Sequence, residues 1–311
     1  MHNDLCNIEN PKISIVTPSL NHGRFLKSTI DSILNQTYRN FEHIVIDGGS
    51  TDNTVEILKQ HPHIRWVSGP DGGILEALRK GFSMARGEYI IQCCVSDGFV
   101  DRDWFSKCVE VLDADPEIAV VWGLPVYTTE NGDMLQFLYQ DLLNDPPAQK
   151  KEFLSMWFAN GFTLPEGNYC VRSEILRRCT PTSQSEKHFQ IQPHLGIMFE
   201  FMVQGYLPFF LPAIAHYFRA HHDQRSKRLA GEERPAALQY FKSIETYRKN
   251  LMAGKVTHHF RDGQFNIIGS LTKQDLPSLR RQIWRHRILR SRWLRRDLFS
   301  LGLKIKRMFG S

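Results

Sequence analysis

The sequence predicts an α/β fold, a mostly parallel sheet flanked by helices, followed by a basic helical tail at the carboxyl terminus. Three observations carry that expectation. Short β-branched runs alternate with amphipathic stretches of helical length through the first third of the chain. Glycine and small polar residues gather after each of those runs. Residues 275–311 hold eleven Arg and Lys against two Asp, a net of +9 in a chain whose total is +6, so the body before them is mildly acidic.

Each element has its own justification. "ISIVT" (13–17) is a β-branched run of the kind buried in parallel sheets. In "NHGRFLKSTIDSILNQTY", Leu26, Ile30, Ile33 and Leu34 recur on one helical face. "EHIVID" (42–47) reads as the second strand. "GGSTDNTVEILKQ" is a glycine turn in which Ser50 or Thr51 can cap a helix carrying Val55 and Leu58. "IRWVS" (64–68) is a third strand, and Leu75, Leu78 and Phe82 mark a helix ending at Gly87. "YIIQCCV", "DWFSKCVEVLDADP" and "IAVVWG" then give strand, helix and strand. Helices of this length between strands imply right-handed parallel crossovers. From about Thr128 the alternation fades, and "QDLLNDPPAQK" (140–150) reads as a loop or boundary.

Composition narrows the function. The 311 residues, 41% of them apolar, suffice for one large domain with appendages. No basic-then-apolar leader and no apolar run near eighteen residues is present, so neither secretion nor a spanning helix is expected. Cys6, Cys93, Cys94, Cys108, Cys170 and Cys179 show neither CxxC nor zinc spacing, which predicts free thiols in a reducing compartment. No G-x-G-x-x-G follows the first strand, which counts against a dinucleotide dehydrogenase and leaves it a third reading.

In open sheets of this kind ligands sit beyond the carboxyl ends of the strands. Those ends carry Thr17-Pro18-Ser19, Asp47-Gly48-Gly49-Ser50, Gly69-Pro70-Asp71-Gly72-Gly73 and Ser96-Asp97-Gly98. Three aspartates at one edge point to a ligand, although Asp-Gly pairs also form turns by themselves.

The runs "TPSLN", "QTYRNFEHIVIDGGSTDNT", "GPDGGILEALRKGFSMARGEYI" and "SDG", in that order and spacing, resemble family 2 glycosyltransferases of the GT-A fold. The resemblance covers residues 12–125, weakens towards Ser226 and does not reach the tail. It implies a GT-A-like sheet whose residues 1–127 form the nucleotide-sugar-binding half. Residues 128–230 would be the acceptor side of the same domain, and 231–311 a helical extension ending in the basic tail. It implies a donor site in which Thr17, Pro18 and Asn21 line the base and ribose pocket. Asp47 would accept from the base, with Ser50 and Asp52 near it; Asp71 would lie by the base or ribose, and Ser96 and Asp97 by the ribose and metal.

The family usually carries a second acid after the one matching Asp97, to hold a divalent cation (Mn or Mg) under the diphosphate; here that residue is Gly98. Asp101 and Asp103 enter the next helix and read as first-turn acids. The resemblance implies that Asp97 and His221, from "HYFRAHHDQRS", would be the metal ligands, and that an aspartate at 98 would tighten the site. Manganese would be preferred because imidazole suits it. A solvated His-His pair is the alternative for His221, and Arg219, Arg225 or Lys227 could neutralise diphosphate directly. For the base of an inverting transfer, the family register gives His194, with Glu200 one to two turns on. Glu200 could equally be a structural ion-pair partner.

The tail places Leu276, Leu279, Ile283, Leu294, Leu298, Leu301, Ile305 and Met308 at helical spacing, interrupted by Arg287 and Arg290, with Trp284, Trp293 and Phe299 beside them. Such a segment suits the anionic inner face of the cytoplasmic membrane, with a helix packed on the body as the alternative. The expected partners are therefore a nucleotide sugar, a glycan or lipid-linked acceptor and an anionic membrane, not nucleic acid. The enzyme reading stands beside a non-catalytic nucleotide-sugar or glycan-binding protein on a degenerate scaffold.

Overall fold

The computed structural model describes residues 8–288 except 138–140, 145, 166, 168 and 225–229. Strands and helices alternate through β1 (Ile13–Ser19), α1 (Gly23–Leu34), β2 (Phe41–Asp47), α2 (Thr54–Lys59), β3 (Ile64–Ser68), α3 (Ile74–Met84) and β4 (Tyr89–Gln92). Next come β5 (Gly98–Phe99), α4 (Trp104–Ala114), β6 (Ile118–Thr128), β7 (Met134–Phe137), α5 (Asp141–Asn144) and α6 (Phe153–Asn160). β8 (Tyr169–Arg172), α7 (Ser173–Cys179), α8 (Lys187–Ile191), α9 (Pro193–Val203), β9 (Leu207–Arg219) and α10 (Ala230–Met252) follow. The hairpin β10 (His259–Arg261) and β11 (Ile267–Ser270) and the helix α11 (276–288) complete the described chain.

Helices cover both faces of the sheet. Val16, Ile44, Ile46 and Ile90 point to one face, where Leu78 and Phe82 of α3 and the apolar side of α9 close the larger core. Ile13, Ile15 and Ile91 point to the other, against Trp104, Phe105, Cys108 and Leu112 of α4. Leu26 and Ile30 of α1 pack there with Val45 and Leu58, as the helical spacing requires.

The strand order is β3-β2-β1-β4-β8-β6-β9-β5, with β7 on β6. β1 pairs parallel with β2 and β4, and β2 with β3. The simple alternation stops at β4. β8 is inserted antiparallel between β4 and β6, and β9 runs parallel to β6 along most of its length. Short runs such as "YCVR" carry no register signal of their own, so their partner is set by packing. The fourth strand is shorter than the 89–95 expected. Cys93 still donates to Val16 O at 3.0 Å, but Asp97 N–H turns back onto Cys94 O at 3.1 Å, so the chain leaves the sheet. Because β8 is antiparallel to its neighbours, β1, β2, β3, β4, β6 and β9 all finish at one edge.

Leu279 and Ile283 of α11 are buried in the larger core, while Trp284 on the same helix is exposed. This part of the tail therefore packs on the body. The tail residues from 289 onward, including Arg290, Trp293, Leu294, Leu298, Phe299, Leu301, Ile305 and Met308, lie outside the described residues, as do Arg225 and Lys227. Among the described residues no helix is long and apolar enough to cross a membrane.

Candidate functional site at the carboxyl edge of the sheet

Asp47 ends β2 and is 1% exposed. Its carboxylate accepts from Ser50 Oγ, from Ser68 Oγ at 2.6 Å, and from the N–H groups of Gly49 and Ser50 at 3.2 and 3.0 Å. The turn-forming role is therefore the one observed: Asp47 ties the ends of β2 and β3 together. Neither Ser50 nor Thr51 caps α2. The Ser50 hydroxyl goes to Asp47 and accepts from Asn21 N–H at 2.8 Å, while Thr51 N–H donates to Asn21 Oδ1 at 2.8 Å. Asn21 adopts a left-handed backbone (φ 54°), which asparagine tolerates better than most residues.

Asp52 accepts from Thr54 N–H at 3.1 Å, Thr54 Oγ1 at 2.5 Å and Gly23 N–H at 2.8 Å, so it clamps the amino termini of α1 and α2. Burial opposes its ionisation, but the Thr54 and Gly23 hydrogen bonds outweigh it and hold the carboxyl below its usual range. Thr17 is fully buried, with Oγ1 2.9 Å from His43 Nε2, so its side chain faces the sheet interior. Pro18 beside it is buried as well.

Asp71 differs from Asp47. It accepts from Gly73 N–H at 2.8 Å, it is half-buried, and a Cβ built on Gly48 would meet its Oδ2 at 3.2 Å. The ends of β2 and β3 thus converge on a carboxylate with spare acceptor capacity, and Gly48 leaves the space for it.

Ser96, Asp97 and Gly98 are held by β9. Ser96 has φ 93°, a conformation rare outside glycine. The Arg219 side chain secures it: Nε donates to Ser96 O at 3.0 Å, Nη1 to Glu130 O at 2.8 Å and Nη2 to Ser28 Oγ at 3.2 Å. Its backbone N–H donates to Asp97 Oδ1 at 3.1 Å, and its guanidinium lies 5.3 Å from the Phe25 ring centre. Arg219 is 9% exposed and spends its donors inside the chain, so it is a clamp on the Asp97 loop and not a free diphosphate ligand.

Gly98 pairs with Tyr217 in the short β5–β9 ladder. A Cβ there would meet Ser32 Oγ at 2.5 Å and Tyr217 Oη at 2.6 Å. This counts against the expectation that an aspartate at 98 would tighten the site, which held only if the geometry matched the family's. The position that the resemblance assigns to a second acid is filled by Tyr217 and Ser32. Gly98→Asp is expected to destabilise the fold by about 1–3 kcal/mol through overpacking, with no gain in metal affinity. Urea unfolding and calorimetric metal titration of that variant check both halves.

His221 follows the end of β9 and stands beside Phe25 and His22. Its ring, 4% exposed, lies 4.8 Å from Phe25 and 5.2 Å from His22, centre to centre. One ligand atom from each of His22, His221 and Asp223 fall within 4.8 Å of one another. The solvated His-His pair is therefore only half right, because His222 is exposed and His221 is not.

The two candidate bases separate. His194 stands at the amino terminus of α9. It lines a cavity of about 260 Å³ with Phe162, Thr163, Gln192 and Phe241. Glu200 lies towards the other end of α9, next to the turn that starts β9, and accepts from Gln204 Nε2 at 3.1 Å. The fold does not bring Glu200 to the strand ends, because α9 runs back down the sheet before β9 climbs again.

Residues 14–164 match the sequence model of the family described as Glycosyl transferase family 2. That stretch belongs to glycosyl transferase family 2. The family 2 domain is 29% identical over 158 residues to a chondroitin synthase of Pasteurella multocida, covering 50% of this chain and 16% of that protein. Over 83 residues it is 42% identical to the glycosyltransferase GlyG of Streptococcus pneumoniae, covering 25% of this chain and 28% of that one. The chain thus spans a small part of the curated relatives it matches.

Solved structures share its fold. One is S. aureus TarS 1–349 in complex with UDP-GlcNAc, at TM-score 0.52 and 15% identity, covering 79% of this chain and 76% of that one. Another is the mannosyltransferase PcManGT of Pyrobaculum calidifontis in complex with GDP-Man and Mn2+, at TM-score 0.53 and 16% identity, covering 96% and 81%. The GT-A-like architecture expected from the sequence is therefore the observed one. For a divalent cation beside the end of β4, the Asp97 carboxylate stands next to Gly98, where an added side chain would meet Ser32 and Tyr217. That donor set fits a cation whose remaining ligands are phosphate oxygens and water.

Proposed function

We propose that the chain is a glycosyltransferase moving a sugar, with inversion, from a nucleoside diphosphate sugar of the UDP type to a glycan or lipid-linked acceptor. One observation carries the reading: the family 2 stretch ends β1, β2, β3 and β4 at one edge, where Asp71 keeps an open carboxylate over the Gly48-Gly49 turn. The ligands of the similar structures, UDP-GlcNAc in one and GDP-Man with Mn2+ in the other, support that donor class and a metal. In this reading Asp71 binds the nucleoside, Asp47, Ser50, Asn21 and Asp52 hold the turns that shape its pocket, and Ser96 and Asp97 face the ribose and diphosphate. Asp97 would hold a divalent cation, which offsets charge on the departing diphosphate. His194 takes the acceptor proton, and the cavity beside it, walled by Phe162 and Phe241, receives the acceptor. The basic tail docks the protein on an anionic membrane.

A panel of nucleotide sugars, assayed for release of nucleoside diphosphate with and without Mn2+, tests the activity. The Gly98 position, closed to a second acid, favours a second reading: nucleotide-sugar binding without transfer. Binding by calorimetry with no diphosphate release from any donor would decide for it.

Asp71→Ala is expected to weaken UDP binding by about 1–3 kcal/mol through loss of a charge-assisted hydrogen bond, while stability falls by less than about 1 kcal/mol. Asp47→Ala is expected to lower both, because four donors lose their acceptor. Calorimetry with UDP beside urea unfolding separates the two, and unchanged UDP affinity in Asp71→Ala removes that residue from the site.

A further inference from the structure

We propose that the outer face shared by α10 and α11 is a docking surface for an anionic lipid bilayer, and that it holds the cavity beside His194 at that bilayer. The surface carries the membrane contact of the basic tail onto the folded body. Its consequence for the acceptor rests on the transferase reading.

α11 buries Leu279 and Ile283 and turns Trp284 outward, 67% exposed, with Ile288 exposed four residues on. Arg280, Arg281, Arg285 and Arg287 are all exposed, and residues 276–288 contain no acid. An aromatic and an aliphatic side chain set among arginines are the composition of an interfacial helix. The ring and the alkyl group enter the acyl boundary while the guanidinium groups stay among the headgroups.

α10 continues the face. Leu238, Phe241, Glu245 and Arg248 follow one another at helical spacing along one stripe. α11 runs antiparallel to it. A Cβ on Gly254, just past α10, would lie 4.0 Å from Lys273 Cε, just before α11. Burial and then the Arg287 charge hold the Arg248 guanidinium below its usual value, so the last turn of α11 lies beside α10 there. Phe241 and Leu238, the latter 58% exposed, are the next turns of the same stripe. The one acid between Pro235 and Met252 is Glu245, which Lys249 engages at 2.9 Å.

The charge selects the occupant. A two-fold contact with a second copy would set the basic α11 face against itself. An anionic bilayer offers the opposite sign across the whole face, and each basic residue near such a surface adds about a fivefold gain in affinity. Phe241 belongs both to this face and to the wall of the cavity that His194 lines. A bilayer on the face therefore stands at the rim of that cavity. The acceptor it receives is a glycan carried on a lipid whose chain stays in the membrane, not a free soluble glycan.

The test floats the full chain with mixed phosphatidylglycerol–phosphatidylcholine vesicles and with vesicles of phosphatidylcholine alone. Binding to the anionic vesicles is expected to be at least about tenfold tighter and to weaken as salt rises. Leu238→Asp and Trp284→Ser are each expected to weaken it by at least about fivefold. Leu238 lies outside the tail and one turn from Phe241, so it reports whether the cavity side touches lipid. Melting curves of both variants are expected to match the parent, as is their UDP affinity by calorimetry without lipid. Equal binding to the two vesicle types overturns the proposal, as does parent affinity in Leu238→Asp or a lipid-free dimer that Leu238→Asp dissociates. Vesicle binding by a chain that ignores UDP supports the surface and counts against the transferase reading alone, so the two failures are distinct.

Discussion

Arg219→Ala is expected to cost the folded state about 3–5 kcal/mol and to abolish nucleotide binding at the strand ends. The guanidinium satisfies the carbonyls of Ser96 and Glu130 and the Ser28 hydroxyl, and its removal leaves those acceptors without their donor at about 1–3 kcal/mol for each buried one. Its aliphatic stem and charged plane also cover Phe25 and Tyr217, contacts an alanine cannot make. The strained Ser96 backbone depends on this support, and Asp97 follows it directly out of that turn. Arg219→Lys keeps the charge but not the fork of donors, so it is expected to recover less than half of the loss. Urea unfolding and UDP calorimetry on both variants check the claim. A loss under about 1 kcal/mol for the alanine variant would show that the clamp does not hold the loop.

Acidification from pH 7 to pH 5 is expected to destabilise the protein by about 4 kcal/mol through His43 and His216 together. Both are fully buried, and burial holds each down to about 3, helped at His43 by the nearby His63 and His61. The sign follows from linkage. These rings stay neutral in the folded state while the unfolded chain titrates near 6.5, so the unfolded state binds more protons between those values. Stability therefore falls as pH drops through about 6.5, and the fall ends only near 3. At pH 5 each ring accounts for about 2 kcal/mol. His258, held to about 4 mainly by burial, adds to the same window. Paired carboxylates such as Glu42, Asp113 and Asp115 are held below their usual range against burial by their hydrogen bonds, and their contribution is lost only at lower pH. His216 sits between Phe99 and Phe218, so His216→Phe tests the effect without opening a cavity. Its stability change between pH 7 and pH 5 should be about 2 kcal/mol smaller than that of the parent, and an equal change would remove His216 from the account.

The local pattern of residues 13–92 was sufficient for β1 to β4 and α1 to α3, because parallel strands buried on both faces must be continuously apolar and their crossovers must be amphipathic. It also located the edge, since glycine and polar residues are needed where a chain leaves a sheet. At single residues the pattern was less informative. Asp47 and Asp71 are both Asp-Gly pairs after strands, yet one is spent inside its turn and the other is open. Locally, Asp47 has Ser50 three residues on where Asp71 has Ile74; the other difference is Ser68, which β3 brings to Asp47 from 21 positions away.

What the sequence by itself determined is therefore the α/β alternation, the family 2 motifs and the edge at which a donor would bind. What only the tertiary structure decided is which side chains at that edge are open. Tyr217 closes the place of a second acid at Gly98, Arg219 turns inward onto Ser96, and Arg24 meets Asp223 across 199 positions. The physical reason lies in β9. A strand that returns to the sheet after some ninety residues pairs wherever the whole core is best packed, and neither its periodicity nor its composition records which loop it will touch.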